Sequence, residues 1–286
     1  TLSQGELEGV REGFVDALFA SEAPGLAPSP LHRDDYIRRA ITGGYPEVLG
    51  RAGPARRARW FGSYLTTLIQ RDLRDVASID HTAAIPGLLR LLAARTAGLA
   101  NVLDISRELR LPNTTLTRYL GILEALYLLE PLRPWSSNLN TRLTRSPKLF
   151  LTDTGLVAYL TDATEERAAR FPEVAGPLLE AFALGEVRRQ AAWSDSQPTP
   201  WFFRTHTGTE VDIVLEQRDG RVAAIEVKAA ARLDQRDTRG LEFLREKLKD
   251  RFVRGIVLYT GEQVLPAGDR IWAMPIDALW RWDSTR

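Results

Sequence analysis

The sequence predicts an α/β protein in which a largely helical first half precedes an α-β-β-β-α-β sandwich. Three observations carry that expectation. Apolar residues recur at helical spacing through the first half, as in Trp60, Tyr64, Leu65, Leu68 and Ile69. From Trp201 onward the pattern changes to short β-rich runs separated by glycine-bearing turns. Phe252–Thr260, with Val253, Ile256, Val257 and Leu258, reads as a fully buried strand.

At 286 residues the chain is longer than one ordinary domain of roughly 100–200 residues. Its 44% hydrophobic content is enough to build real cores. Lys and Arg number 38 against 37 Asp and Glu, a formal net charge of +1, so the chain is no uniformly basic nucleic-acid coat. There is no cysteine, which excludes disulfide frameworks, thiol nucleophiles and thiolate-bound zinc. The three histidines, His32, His81 and His206, lie too far apart in sequence to suggest a histidine metal site. No uncharged run approaches the ~20 residues of a membrane span, and the polar first residues are not a signal peptide. A soluble, cytoplasmic protein is expected. The first residue is Thr1 rather than Met, which suggests a processed or truncated start.

In chain order, a helix is predicted over Glu6–Phe19, followed by a loop with three prolines and a glycine between Ser21 and Pro30. Asp34–Ala40 is helical and Thr42–Pro46 a turn. A long helix begins at Ala55 and another spans Ala83–Thr96. Val102, Ile105 and Leu109 then form one helix face. The break Leu111-Pro112-Asn113 follows, and a second helix carries Leu116, Tyr119, Leu120, Leu123 and Leu126. Two short helices about a tight turn are the helix-turn-helix pattern. Strands at Tyr127–Leu132 and Lys148–Thr152, joined by a polar loop, add a two-stranded ribbon, and the whole reads as a winged-helix domain. A helix from Pro177 to Trp193 opens the last third. Strands follow at Trp201–Thr205, Glu210–Gln217 and Arg221–Ala229, then a charged helix at Gln235–Lys249. A last strand at Ile271–Pro275 and a helix at Ile276–Trp282 close the chain. The sequence therefore divides into an N-terminal helical segment (1–54), the winged-helix domain (55–160) and the α/β domain (161–286).

The hairpin Glu210–Ala229 concentrates the chemistry. Strand alternation puts Val211, Ile213 and Leu215 on one face and Glu210, Asp212 and Glu216 on the other. In the next strand Glu226 and Lys228 share a face. If Arg218-Asp219-Gly220 is a three-residue loop with Gly220 left-handed, Gln217 pairs with Arg221 and Asp212 lies opposite Glu226. A two-residue loop would place them on opposite faces. Directly opposed carboxylates repel unless compensated, and a hard divalent cation, Mg²⁺ or Mn²⁺, compensates them. Glu180 sits on a helix with Ala183, Leu184 and Val187 around it, so it needs a partner or a proton. Glu186, beside Arg189 and Gln190, reads as a solvated residue.

This constellation resembles the PD-(D/E)xK nuclease superfamily, with its restriction-endonuclease-like sandwich. The resemblance implies Mg²⁺-dependent phosphodiester hydrolysis, with Glu180 as the helix acid, Asp212 as the strand acid and Glu226 with Lys228 as the E-x-K pair. Asp212, Glu226 and Glu180 would hold the metal. Gly208–Asp212 and Ile225–Lys228 look more specifically like the domain DUF4143, where Arg204 matches a frequent arginine. That family places the domain after a winged helix and an AAA-type ATPase module, and Leu2–Leu7 looks like the tail of such a module. No proline precedes Asp212, a departure from the superfamily pattern. None of the 21 glycines is followed by Lys, so the phosphate-cradling loop Gly-x-x-x-x-Gly-Lys-Ser/Thr is missing. ATP is expected only in an upstream module and no ATPase activity in this chain.

Two acid-free basic stretches suggest where nucleic acid, DNA in particular, would be held. One runs through Arg51, Arg56, Arg57 and Arg59; the other, in the ribbon, through Arg133, Arg142, Arg145 and Lys148. Arg118 on the second helix of the pair, and Arg204, join the expected phosphate contacts. The expectation is a DNA-associated protein with a metal-dependent nuclease site, part of a larger ATPase and open to homo-oligomerisation. The alternative is a non-catalytic DNA- or protein-binding or regulatory module. No membrane partner is expected.

Overall fold

The computed structural model describes residues 1–72, 84–136 and 146–283. It is a mixed α/β structure. Ten of its helices come early: α1 (Gln4–Glu8), α2 (Phe14–Ala17), α3 (Arg33–Thr42), α4 (Pro46–Leu49), α5 (Pro54–Thr67), α6 (Ile85–Ala94), α7 (Val102–Leu109), α8 (Asn113–Ala125), α9 (Thr154–Leu160) and α10 (Glu165–Arg170). Between α8 and α9 lies an antiparallel ribbon, β1 (Leu129–Leu132) and β2 (Lys148–Leu151). The 22-residue helix α11 (Pro172–Trp193) then leads into β3 (Thr199–Arg204), β4 (Glu210–Glu216), β5 (Val222–Lys228), α12 (Arg239–Leu248), β6 (Phe252–Tyr259), β7 (Leu265–Gly268), β8 (Ile271–Pro275) and α13 (Ala278–Arg281). No helix among the described residues is long and apolar enough to cross a membrane.

The six strands form one mixed sheet in the order β3-β4-β5-β6-β8-β7. The hairpins β3-β4 and β4-β5 are antiparallel, while β5, β6 and β8 run parallel. The parallel strands are the most apolar, as burial on both faces requires. One face packs on α11 through Ile213, Leu215, Ile225 and Leu184. The other packs on α12 through Val214, Ala224, Leu241 and Leu244. The order α-β-β-β-α-β is therefore present, extended by β7 and β8.

The predicted helix pair is found as α7 and α8. Asn101 caps α7 by accepting from the Leu103 and Asp104 amides. The turn at Arg110 is left-handed (φ 52°), and Ser106 Oγ donates to the Leu111 carbonyl. The ribbon follows directly.

Two local expectations are corrected. The single helix over Glu6–Phe19 is two short helices, because Gly9 ends α1 in the left-handed conformation (φ 67°) and Gly13 precedes α2. Pro177 lies inside α11 rather than opening it; Pro172 takes the first position, where a missing N–H costs nothing. The N-terminal residues pack against the last third of the chain. Phe14 and Leu18 are fully buried, and Phe14 meets Trp282 edge-on at 5.7 Å. Arg254 donates to the Ala17 carbonyl at 2.7 Å and Ser29 to Asp277 at 2.6 Å. The N-terminal stretch thus straps the C-terminal α/β unit.

Asp153 is the other fastener. It caps α9 by accepting from Leu156 N (2.9 Å) and also takes Gly44 N (2.7 Å). Leu2 N donates to the Gly44 carbonyl at 2.8 Å, and a Cβ on Gly44 would lie 2.3 Å from the Leu2 oxygen, so only glycine fits. Asp153→Ala leaves two buried amides without acceptors and is expected to cost about 2–4 kcal/mol. Denaturant unfolding measures it; a loss under 1 kcal/mol would show that water replaces the carboxylate.

Candidate functional site

The turn between β4 and β5 sets the register of the site. Gln217 N donates to Arg221 O at 2.9 Å and Gly220 N to Gln217 O at 2.9 Å, with Gly220 at φ 85°. This is the three-residue loop, and glycine supplies its left-handed position without strain. The ladder pairs Glu216 with Val222, Leu215 with Ala223, Val214 with Ala224 and Ile213 with Ile225. The ladder ends at Ile213 and Ile225, and just beyond it the Asp212 carboxylate turns to the Val227 amide of β5.

The simple alternation of β4 is not kept. The pairing of β3 with β4 shifts between Trp201–Val214 and Phe203–Val211, which is a β-bulge. Val211 and Val214 pack on the α12 side, whereas Ile213 and Leu215 pack on the α11 side. The expected grouping of Val211 with Ile213 and Leu215 is thereby corrected. The bulge falls at Asp212, and Glu210 and Asp212 both approach a cation that the sequence placed elsewhere.

That cation is Lys148, on β2. Its side chain is 2% exposed and its Nζ lies 2.8 Å from Glu180 Oε1, 2.5 Å from Glu210 Oε1 and 3.7 Å from Asp212 Oδ1. The face of the Phe202 ring backs it at 5.6 Å. Lys148 is therefore not a phosphate contact on the ribbon surface, because a buried ammonium already surrounded by carboxylates cannot reach one. Burial alone would lower its pKa, but Glu180, Asp212 and Glu210 more than offset that and hold it raised and charged.

A second ion pair lies at the end of β5. Lys228 Nζ is 2.8 Å from Glu226 Oε1 and 3.7 Å from Asp237 Oδ1. Asp212 joins the two groups. Its Oδ2 accepts from Val227 N at 2.9 Å, and its charge raises both Glu180 and Glu226. Burial is the larger cause in each, and both carboxyls are pushed up to about 8. Asp212 itself is raised by burial against the pull of Lys148. Among the described residues five acids (Glu180, Glu210, Asp212, Glu226, Asp237) thus meet Lys148, Lys228 and, through Glu210, Arg204, so carboxylates outnumber cations.

The remaining expected residues are dispersed. Arg118 is exposed on α8 and Arg133 is exposed just past β1. Arg142 and Arg145 lie outside the described residues. Arg204 pairs with Glu210 at 3.4 Å. Glu186 is corrected: it is fully buried, not solvated, because the N-terminal strap covers it and Gln4 N donates to its Oε2 at 2.9 Å. Sequence reasoning left Glu210 and Asp237 out of the site. Glu210 could have been found by its two-residue offset from Asp212; Asp237 carries no comparable signal.

The donor set can be tested against a hard cation. Among the described residues no group of three or more acids, histidines or cysteines is arranged to hold a metal ion, and Lys148 engages Glu180. Asp212 and Glu226 remain, and Mg²⁺ commonly uses one or two carboxylates with water and phosphate oxygens completing the shell. Glu226 Oε2 is buried and finds no hydrogen-bond partner among the described residues. An orphaned, buried carboxylate oxygen calls for a cation or a proton. The all-oxygen pair fits Mg²⁺ or Mn²⁺.

Comparison with known proteins places two family profiles on the chain. Residues 33–167 match a domain of unknown function, DUF8612, and residues 175–279 match another, DUF4143. The chain is 27% identical over 260 residues to the uncharacterized protein Rv2008c of Mycobacterium tuberculosis, an alignment covering 90% of this chain and 56% of that protein. The uncharacterized protein Mb2031c of Mycobacterium bovis matches with the same identity and coverage. The chain thus spans about half the length of the curated relatives it matches. No solved structure matches it.

Proposed function

We propose that this chain is a DNA-associated module with a divalent-metal-dependent phosphodiester hydrolase site on a restriction-endonuclease-like sheet, and that it works within a larger ATPase. The observation that carries the reading is the buried Glu226 Oε2, which finds no hydrogen-bond partner among the described residues, in a carboxylate whose other oxygen pairs with the Lys228 ammonium. Asp212 and Glu226 would hold Mg²⁺ or Mn²⁺, with Glu180 behind them. A bound dication lowers the pKa of its water and neutralises charge building on the phosphate. Lys228 stays ionised beside Glu226, where it would orient the attacking water or meet the developing negative charge. The pair α7 and α8 with its ribbon, read as a winged helix, would dock the duplex through Arg118 and Arg133. ATP would bind only in an upstream module, and a cytoplasmic protein, alone or as a homo-oligomer, suits this chemistry.

A second reading is a non-catalytic DNA- or protein-binding or regulatory module. Lys148 favours it, because an internal lysine already neutralises part of the acid cluster.

Cleavage of plasmid and oligonucleotide DNA in Mg²⁺ and Mn²⁺ separates the two. Wild type is expected to cleave, with Asp212→Ala and Lys228→Ala reduced at least about 100-fold. Equal cleavage by all three proteins would mark a contaminant; no cleavage by wild type would leave the binding module standing.

A further inference from the structure

Lys148 and the acids around it come from different stretches of the chain. Lys148 lies in the part matched by the first family profile, 33–167, and Glu180, Glu210 and Asp212 lie in the part matched by the second, 175–279. The ribbon that carries Lys148 is sewn to the open edge of the sheet. Phe202 N donates to the Arg133 carbonyl at 3.0 Å and Trp135 N to the Phe202 carbonyl at 2.5 Å. Lys148 stands opposite Leu132, the last residue of β1, so seating this edge carries the ammonium into the acids. Its position there is specific: two carboxylates within hydrogen-bond distance, a third at 3.7 Å, an aromatic face behind and 2% exposure.

From this geometry we infer that Lys148 is a built-in counter-ion of the metal site, holding the carboxylate cluster in competition with a divalent cation. The inference rests on the metal reading proposed above and adds its control. With the ribbon seated, the ammonium satisfies Glu180 and Glu210 and stands 3.7 Å from Asp212 Oδ1. A dication entering beside it meets a like charge across a poorly screened space. With the ribbon displaced from the β3 edge, Lys148 leaves with it and the acids gain capacity for the dication. Metal affinity is therefore tied to the seating of the helix-turn-helix part on the sheet. A purely structural Lys148 would act in the opposite sense, because removing it would disorder Asp212 and weaken metal binding.

Mn²⁺ binding, followed by loss of the free-ion electron paramagnetic resonance signal, tests the inference without reference to activity. Lys148→Met is expected to bind Mn²⁺ at least about tenfold more tightly than wild type, and Lys148→Arg no more tightly than wild type. Adding Asp212→Asn to Lys148→Met should abolish the gain. Equal or weaker binding by Lys148→Met overturns the counter-ion role while leaving the metal site standing. Absence of Asp212-dependent binding in every protein overturns the metal reading, and this inference with it. If Lys148→Met does not fold, the wild-type chain supplies the measurement. Acetylation by an amine-reactive reagent, read by mass spectrometry, should rise several-fold at Lys148 on adding Mn²⁺ and stay level at Lys247. No change at Lys148 overturns the inference.

Discussion

In the presence of a chelator, the protein is expected to melt about 6 °C lower at pH 8.5 than at pH 6. The cause is a set of carboxyls whose folded-state pKa is raised. Burial, and then the charge of Asp212, push Glu180 and Glu226 up to about 8 from a value near 4.5. Burial raises Glu12 to about 7, with Glu186 adding to it. The folded protein therefore keeps protons that the unfolded chain releases near pH 4.5. The stabilisation these groups provide is complete below that pH and is lost as pH rises through about 7 to 8. One unit is worth about 1.4 kcal/mol; counting Glu180 and Glu226 once, for their shared dependence on Asp212, over about two units and Glu12 over about one, the loss comes to about 4 kcal/mol. Scanning calorimetry at the two pH values measures it. Mn²⁺ at pH 8.5 should restore the part owed to Glu226 and Asp212, since the cation replaces the proton. Glu12→Gln should remove only the contribution of the N-terminal strap. A melting temperature that is flat or rises from pH 6 to 8.5 would contradict this balance of charge.

Phe14→Ala is expected to destabilise the chain by about 3–5 kcal/mol, the cost of truncating a buried aromatic. Phe14 is fully buried, and its ring meets that of Trp282 edge-on at 5.7 Å. The residues between these two run through the whole chain, so their contact closes the fold. Loss of the ring should loosen α2 from α11 and α13 and expose Trp282, which a tryptophan emission shift would report. Limited proteolysis should then cut first between α1 and α3. A change below about 1 kcal/mol would mean that the N-terminal stretch packs as a removable tail.

Much of the fold was legible because its signals are local. Leu111-Pro112-Asn113 marks the turn between α7 and α8, and the apolar run from Phe252 marks β6. Arg218-Asp219-Gly220 marks the hairpin turn but leaves two registers open, and the structure takes the three-residue loop with Gly220 left-handed. The edge strand β7, Leu265–Gly268, was not legible: a Leu-Pro-Ala-Gly segment has no strand character of its own and is held by pairing with β8. Glu186 was misread for a related reason. Its polar helix neighbours suggest water, and only the N-terminal strap, distant in sequence, shows that it is buried.

For the candidate site, the sequence marked Glu180, Asp212 and Glu226 through signals that act over a few residues: an apolar helix face, strand alternation and turn length. It could not determine what neutralises them. The bulge at Asp212 depends on how β3 meets β4, and Lys148 reaches Glu180 and Glu210 only when the ribbon seats on the sheet edge. Periodicity carries no information about which distant side chain fills a buried, charged space. Tertiary packing decides that, since in a medium of low polarity the carboxylates require a cation and the nearest one that can be buried takes the place.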